Sequence, residues 1–162
     1  MPERSPSQGI RCGAEVNLAV RSPVQTGRHT IGSMSHARVD DGAGRAAGAR
    51  FDYDGDGLAE DQLLATPYAQ ARQWVDDAVA RSQVERDVFE PLAVSVATVD
   101  AAGVPNVRTV LMRFLDERGP GFVTALTSAK GREIEANPVM GVALTWPAMY
   151  RAIRFRGRAV MV

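Results

Sequence analysis

The side chains best placed to do chemistry fall between Arg108 and Pro138, in the stretch RTVLMRFLDERGPGFVTALTSAKGREIEANP. Arg108 and Arg113 stand near the two ends of an alternating strand, and Lys130 follows Ser128-Ala129 where a helix opens. Along that strand Arg108, Val110 and Met112 share one face, while Thr109, Leu111 and Arg113 share the other. Each face therefore carries one guanidinium. A cation in the first turn of a helix opposes the helix dipole by a few tenths of a kcal/mol. An anion bound at that terminus reverses the sign, because the free N–H groups and the ammonium then act on the same charge. The residues alone leave two readings open: a cradle for a phosphate-bearing ligand, or a solvated surface on which Lys130 points to water.

Other candidate chemistry is weaker. Asp52, Asp54, Asp56 and Gly57 match positions 1, 3, 5 and 6 of a calcium-binding EF-hand loop, but the bidentate glutamate required at position 12 is Leu63. The preceding residues are rich in Gly and Ala and form no amphipathic helix, so a calcium site is not expected. His29 and His36 both fall in the N-terminal 1–49 segment. The rest of the chain therefore has no histidine for a zinc site, a Ser-His-Asp triad or a Cys-His pair, and no metal and no catalytic side chain are assigned. Arg154, Arg156 and Arg158 alternate with Ile153 and Phe155 and read as the solvated face of a half-buried strand. Without interleaved exposed aromatics they make a poor RNA surface.

The elements that must position these groups can be read along the chain. Residues 1–49, rich in Gly, Ser, Arg and Ala, show no period of either kind and are expected to be a disordered arm. Met34-Ser35 is a candidate initiator, which would leave 1–33 untranslated. Thr66-Pro67 supplies an N-cap and a first-turn proline for a helix reaching about Ser82, with Tyr68, Ala71, Trp74, Val75, Ala78 and Val79 on one face. Strands are expected over Leu92–Val99, Asn106–Leu115, Gly121–Leu126, Val139–Trp146 and Ala152–Val162. Turns at Asp100–Gly103 and Asp116–Gly119, and a short helix from Ser128 to Ala136, separate them. Five or more strands joined by hairpin turns predict a mainly β protein, an antiparallel sheet curled into a barrel with flanking helices. The chain stops inside its last strand with no turn or polar tail, as expected of a piece of a longer protein.

Composition is compatible with that plan. A chain of 162 residues, 45% hydrophobic, can bury a single core. Nineteen basic and nineteen acidic residues cancel, so no net field draws it to nucleic acid or to an anionic membrane. No apolar run reaches the roughly 20 residues of a membrane span, and one cysteine, Cys12, allows no internal disulfide. A cytoplasmic location is the default expectation.

The motifs also occur in a familiar order. Arg50-Phe-Asp-Tyr53, Gly57-Leu58, Thr66-Pro-Tyr-Ala-Gln70, Ala97-Thr-Val-Asp100, RTVLMR, DERG, TSAKGREIEANP and Trp146-Pro147 follow one another across 50–162. This pattern resembles the pyridoxamine 5′-phosphate oxidase family, FMN-dependent homodimeric enzymes with a split-barrel fold. The resemblance implies a substrate-lid segment over 50–65 and an FMN-binding split-barrel domain over 66–162, lacking the family's C-terminal region. It implies that Arg108, Val110 and Leu111 line the FMN, that Thr124 contacts the flavin, and that Ser128 and Lys130 hold the ribityl phosphate. Arg113 stands where the family usually has a lysine that meets the substrate phosphate, and is assigned to both cofactor and substrate. Arg50 and Tyr53 would close over the substrate.

The implied reaction is oxidation of pyridoxine or pyridoxamine 5′-phosphate to pyridoxal 5′-phosphate, a step of vitamin B6 biosynthesis, with O2 as acceptor and H2O2 as product. The alternatives are a related split-barrel flavin oxidase acting on another ring substrate of the phenazine type, or a truncated barrel without catalysis. The chain departs from the family pattern at Ala129, commonly arginine, at Val123, usually tyrosine, and at Ala152, usually glutamine.

Overall fold

The structure is a computed structural model that describes residues 7–20 and 57–162. Among the described residues seven strands form one antiparallel sheet: β1 (Ser7–Val20), β2 (Ala93–Val99), β3 (Pro105–Leu111), β4 (Phe114–Asp116), β5 (Gly119–Ala125), β6 (Val139–Trp146) and β7 (Arg151–Met161). Two helices flank it, α1 (Pro67–Val84) and α2 (Ala129–Ala136). The strand order is β3-β2-β6-β7-β1-β5-β4.

The two edge strands of that order, β3 and β4, are consecutive in the chain. The bend between them must therefore bring the edges of the sheet together. Met112 donates its backbone N–H to Leu92 O at 2.9 Å on the β2 side, and Arg113 donates to Gly121 O at 2.7 Å on the β5 side. The sheet thus curls into a barrel split at Met112–Arg113, in agreement with the expected mainly β, antiparallel barrel. The single strand expected over Asn106–Leu115 is divided at this bend, since one straight strand cannot pair with both β2 and β5.

Local chemistry fixes most element ends. Thr66 caps α1 by accepting from Ala69 N, and Pro67 opens the helix, as its sequence predicts. Gln70, Ala71, Trp74, Val75 and Ala78 are its buried residues, a stripe at helical spacing. The helix is pinned at its start and near its middle: Tyr68 Oη donates to Leu115 O at 3.3 Å, and Arg151 bridges to Asp77 at 2.6 Å while lying 5.3 Å from the Trp74 ring. Among the described residues Trp74, Phe122, Phe155, Ile10, Leu144 and Ile153 are the largest fully buried side chains. Gly119, at φ 108°, turns the chain from β4 into β5, a backbone conformation that disfavours side chains.

A second expectation is corrected. Ser7–Val20, placed in a disordered arm, forms β1, which fills the gap between β5 and β7. It pairs with β7 from Ile10↔Met161 to Val20↔Arg151 and with β5 from Ser7↔Ala125 to Arg11↔Gly121. Ile10 and Cys12 are fully buried there, and Arg11 Nη1 bridges to Asp116 Oδ2 at 2.5 Å with its guanidinium 4.8 Å from the Phe114 ring. The rest of 1–49, with His29 and His36, lies outside the described residues, as do Arg50, Tyr53 and the three aspartates of the calcium-like loop.

Candidate functional site

The candidate site is assembled where β5 hands over to α2. Ser128 is the helix N-cap, and its Oγ accepts from Gly131 N at 3.2 Å. The Thr124 hydroxyl, buried at the end of β5, lies 3.3 Å from the same Ser128 Oγ. Lys130 sits partly exposed in the first helical turn. First-turn N–H groups have no acceptor within their own helix, and the Ser128 cap answers only that of Gly131. Two hydroxyls, the amides of Ala129 and Lys130 and one ammonium therefore gather around one helix terminus, a donor set suited to a phosphate monoester.

The helix can approach β5 this closely because residue 131 is glycine. A Cβ there would lie 2.3 Å from Leu126 O and 2.7 Å from Leu126 Cα. Beneath the helix an apolar cavity of about 230 Å³ is lined by Ile10, Leu126, Ile134, Pro138, Ala159 and Met161.

Arg108 reaches the same helix by another route. Its Nη2 donates to Glu133 Oε2 at 2.6 Å, and its Nη1 donates to Val96 O at 3.4 Å and to the Thr98 hydroxyl. Thr98 in turn donates to Glu133, and Asn106 Nδ2 donates to Glu133 Oε1 at 2.8 Å. Thr98 is fully buried, and the side chains of Arg108 and Glu133 are only 20% and 11% exposed. The register explains the cluster. Val96↔Arg108 and Thr98↔Asn106 are directly opposed, so all four side chains leave the same face of β2 and β3. The Thr98 and Asn106 hydrogen bonds, followed by Arg108, hold the Glu133 carboxyl down at about 2.

The remaining sequence-assigned residues are more dispersed. Val110 is half-buried against the core, Leu111 is 40% exposed, and Arg113 is exposed at the split of the barrel. The structure thus brings Thr124, Ser128 and Lys130 together and ties Arg108 to the same helix through Glu133. Leu111 and Arg113 stand apart on β3 and the bend. Thr98, Asn106 and Glu133 escaped the sequence reading. Glu133 looks like a helix-surface charge, and only its spacing from Ser128, one turn and a half into the helix, could have flagged it.

A second feature lies on the opposite face of the sheet. Ser95, Ala97, Val107, Gly141, Ala143 and the flanking Arg154 line a concavity of about 570 Å³. Arg154 and Arg156, read from sequence as a solvated face, border this hollow. Its floor is made of small and apolar residues, which strands on an ordinary wet face rarely supply in a run. Among the described residues no helix is long and apolar enough to cross a membrane, and no group of His, Cys, Asp or Glu is placed to hold a metal ion.

Comparison with known proteins bears on this geometry. A family model described as pyridoxamine 5′-phosphate oxidase matches residues 77–162. A pyridoxine/pyridoxamine 5′-phosphate oxidase of Pseudomonas paraeruginosa is 45% identical over 111 residues, which are 68% of this chain and 50% of that protein. Similarly named proteins of Ectopseudomonas mendocina and Pseudomonas putida are each 42% identical over 116 residues, covering 72% of this chain and 53% of theirs. The chain spans about half the length of the curated relatives it matches. The matched 77–162 region contains β2–β7 and α2, and hence the whole candidate site; β1 lies outside it.

Proposed function

Since this chain belongs to the pyridoxamine 5′-phosphate oxidase family, we propose that its barrel holds FMN and serves the oxidation of pyridoxine or pyridoxamine 5′-phosphate to pyridoxal 5′-phosphate. The observation that carries this reading is the α2 terminus, where the Thr124 and Ser128 hydroxyls lie 3.3 Å apart beside the first-turn amides and Lys130. Those donors fit the phosphate of FMN. Val110 and Leu111 on β3 supply apolar surface for the ring, and Arg108 adds positive charge from the same strand. Bound flavin would supply the redox chemistry, a two-electron oxidation at the substrate C4′ carbon with O2 as acceptor and H2O2 as product, water entering and ammonia leaving where the substrate is the amine.

In this reading the chain's own side chains bind and orient. Ser128, Lys130 and the first-turn amides anchor the cofactor phosphate. Arg113, exposed at the barrel split, is free to meet the substrate phosphate, and Arg50 and Tyr53 would cover the substrate. No nucleophile is required of the protein. The concavity between β2, β3, β6 and β7 supports a homodimer that buries this face, because an apolar hollow flanked by arginines is a common partner surface. The balanced charge and the lack of a spanning helix among the described residues are compatible with a cytoplasmic enzyme.

The experiment is direct. The purified full chain is titrated with FMN, following flavin fluorescence, and the loaded protein is then given pyridoxamine 5′-phosphate in an oxygen electrode. Saturable quenching with substrate-dependent oxygen uptake is expected. A protein that leaves FMN fluorescence unchanged would remove the basis of the proposal.

A further inference from the structure

The Arg108–Glu133 pair poses a question that phosphate anchoring alone does not answer. A guanidinium meant for an anionic ligand would be expected to stand free, yet this one is already matched by a carboxylate 2.6 Å away. We propose that Glu133 is a positioning residue that sets how tightly the α2 terminus holds a phosphate, by tying Arg108 to the helix while offsetting its charge. The inference rests on the reading of that terminus as the cofactor-phosphate site.

Three observations support it. Glu133 is not a surface charge paired by chance: it accepts from Thr98, Asn106 and Arg108, residues of two strands, with its side chain 11% exposed. Second, Glu133 lies three residues after Lys130 and four after Ala129, so it shares a helix face with the first-turn cation. Its negative charge therefore weighs on both cations the phosphate would meet. Third, the arrangement is rigid. Thr98 Oγ1 accepts from Arg108 and donates to Glu133, so the three polar groups form a closed ring with little freedom to reorient. A phosphate arriving at α2 would share Arg108 with Glu133 rather than capture it.

The substitution Glu133→Gln tests this, because glutamine is isosteric and removes the charge, its carbonyl oxygen accepting from Thr98 and Arg108 while its NH2 donates to the Asn106 amide oxygen once that amide turns over. FMN and riboflavin differ only in the phosphate, so the ratio of their affinities isolates the effect at α2. In Glu133→Gln the preference for FMN over riboflavin is expected to rise roughly three- to tenfold, and to fall back with added salt. In an Arg108→Gln background the same change should have a markedly smaller effect. A purely structural latch predicts instead that both flavins weaken together, or that neither changes; either result overturns the proposal.

Thr98→Val, which loosens the ring without altering charge, provides a second variant and should shift the preference in the same direction by less. The experiment is repeated with inorganic phosphate as the probe, read as a thermal shift. If FMN fails to bind but phosphate stabilises Glu133→Gln more than the native chain, the flavin reading fails and the role of Glu133 stands. If phosphate does not distinguish the two proteins either, the role of Glu133 is refuted as well.

Discussion

Replacing Gly131 with alanine sets two physical effects against each other, and the structure decides the sign. In an exposed helix interior the change would stabilise by roughly 0.8–1 kcal/mol, the difference in helix propensity. Here the new methyl would lie 2.3 Å from Leu126 O and 2.7 Å from Leu126 C and Cα. All three are backbone atoms, so no rotamer change can relieve the overlap. The helix must instead lift away from the end of β5.

Overpacking of this kind costs roughly 1–3 kcal/mol. Lifting α2 also stretches the 3.2 Å bond by which Ser128 caps Gly131, and a lost N-cap costs about 1 kcal/mol. Offsetting the propensity gain leaves a net loss of roughly 1–3 kcal/mol, or several degrees in melting temperature. The cavity of about 230 Å³ beneath the helix gives it some room to adjust, which favours the lower end. Urea and thermal unfolding of the variant measure this directly. Because Thr124 and Ser128 would separate, FMN affinity should fall together with stability. An unchanged or raised melting temperature would show that α2 is not docked as described.

Further outcomes follow from the same geometry. Ala129→Arg adds a cation to the first turn of α2 and should tighten FMN about tenfold, as one charge-assisted hydrogen bond of about 1.5 kcal/mol would, with riboflavin binding little changed; fluorescence titration of both flavins checks it. Glu133 and Asp116 both have carboxyls held down at about 2, the first chiefly by Thr98 and the second chiefly by Arg118. Depressed carboxyl pKa values give stability that is present above the unfolded values of about 4 and lost as pH falls toward 2. Urea midpoints should therefore drop between pH 5 and pH 2, and Glu133→Gln should flatten part of that slope. Burial pushes the Cys12 thiol up to about 11, so a thiol reagent at pH 8 should label it only in denaturant; rapid labelling of the native protein would place β1 outside the barrel.

Much of the barrel was legible because its signals are local. Thr66-Pro67, the turns at Asp100–Gly103 and Asp116–Gly119, and the Ser128 cap each act within a few residues, and the elements between them follow. The cluster of Thr124, Ser128 and Lys130 was readable for the same reason, since all three lie within seven residues of chain. The division of the strand at Met112–Arg113 was not, because only pairing with both β2 and β5 demands a bend there.

By itself, then, the sequence determined the local elements, their order and the donors at the α2 terminus. Tertiary structure decided the rest. Ser7–Val20 carries a strand-like alternation, with Ile10, Cys12, Ala14, Val16, Leu18 and Val20 at every second position, but which strands it joins, two neighbours more than a hundred residues away, is not written in that pattern. The fate of Arg108 was equally hidden: its partner Glu133 lies 25 residues on, on a helix whose position depends on the whole curled sheet. A charge's type is written in the chain, but whether it faces a ligand or another side chain depends on distances that only the closed barrel sets.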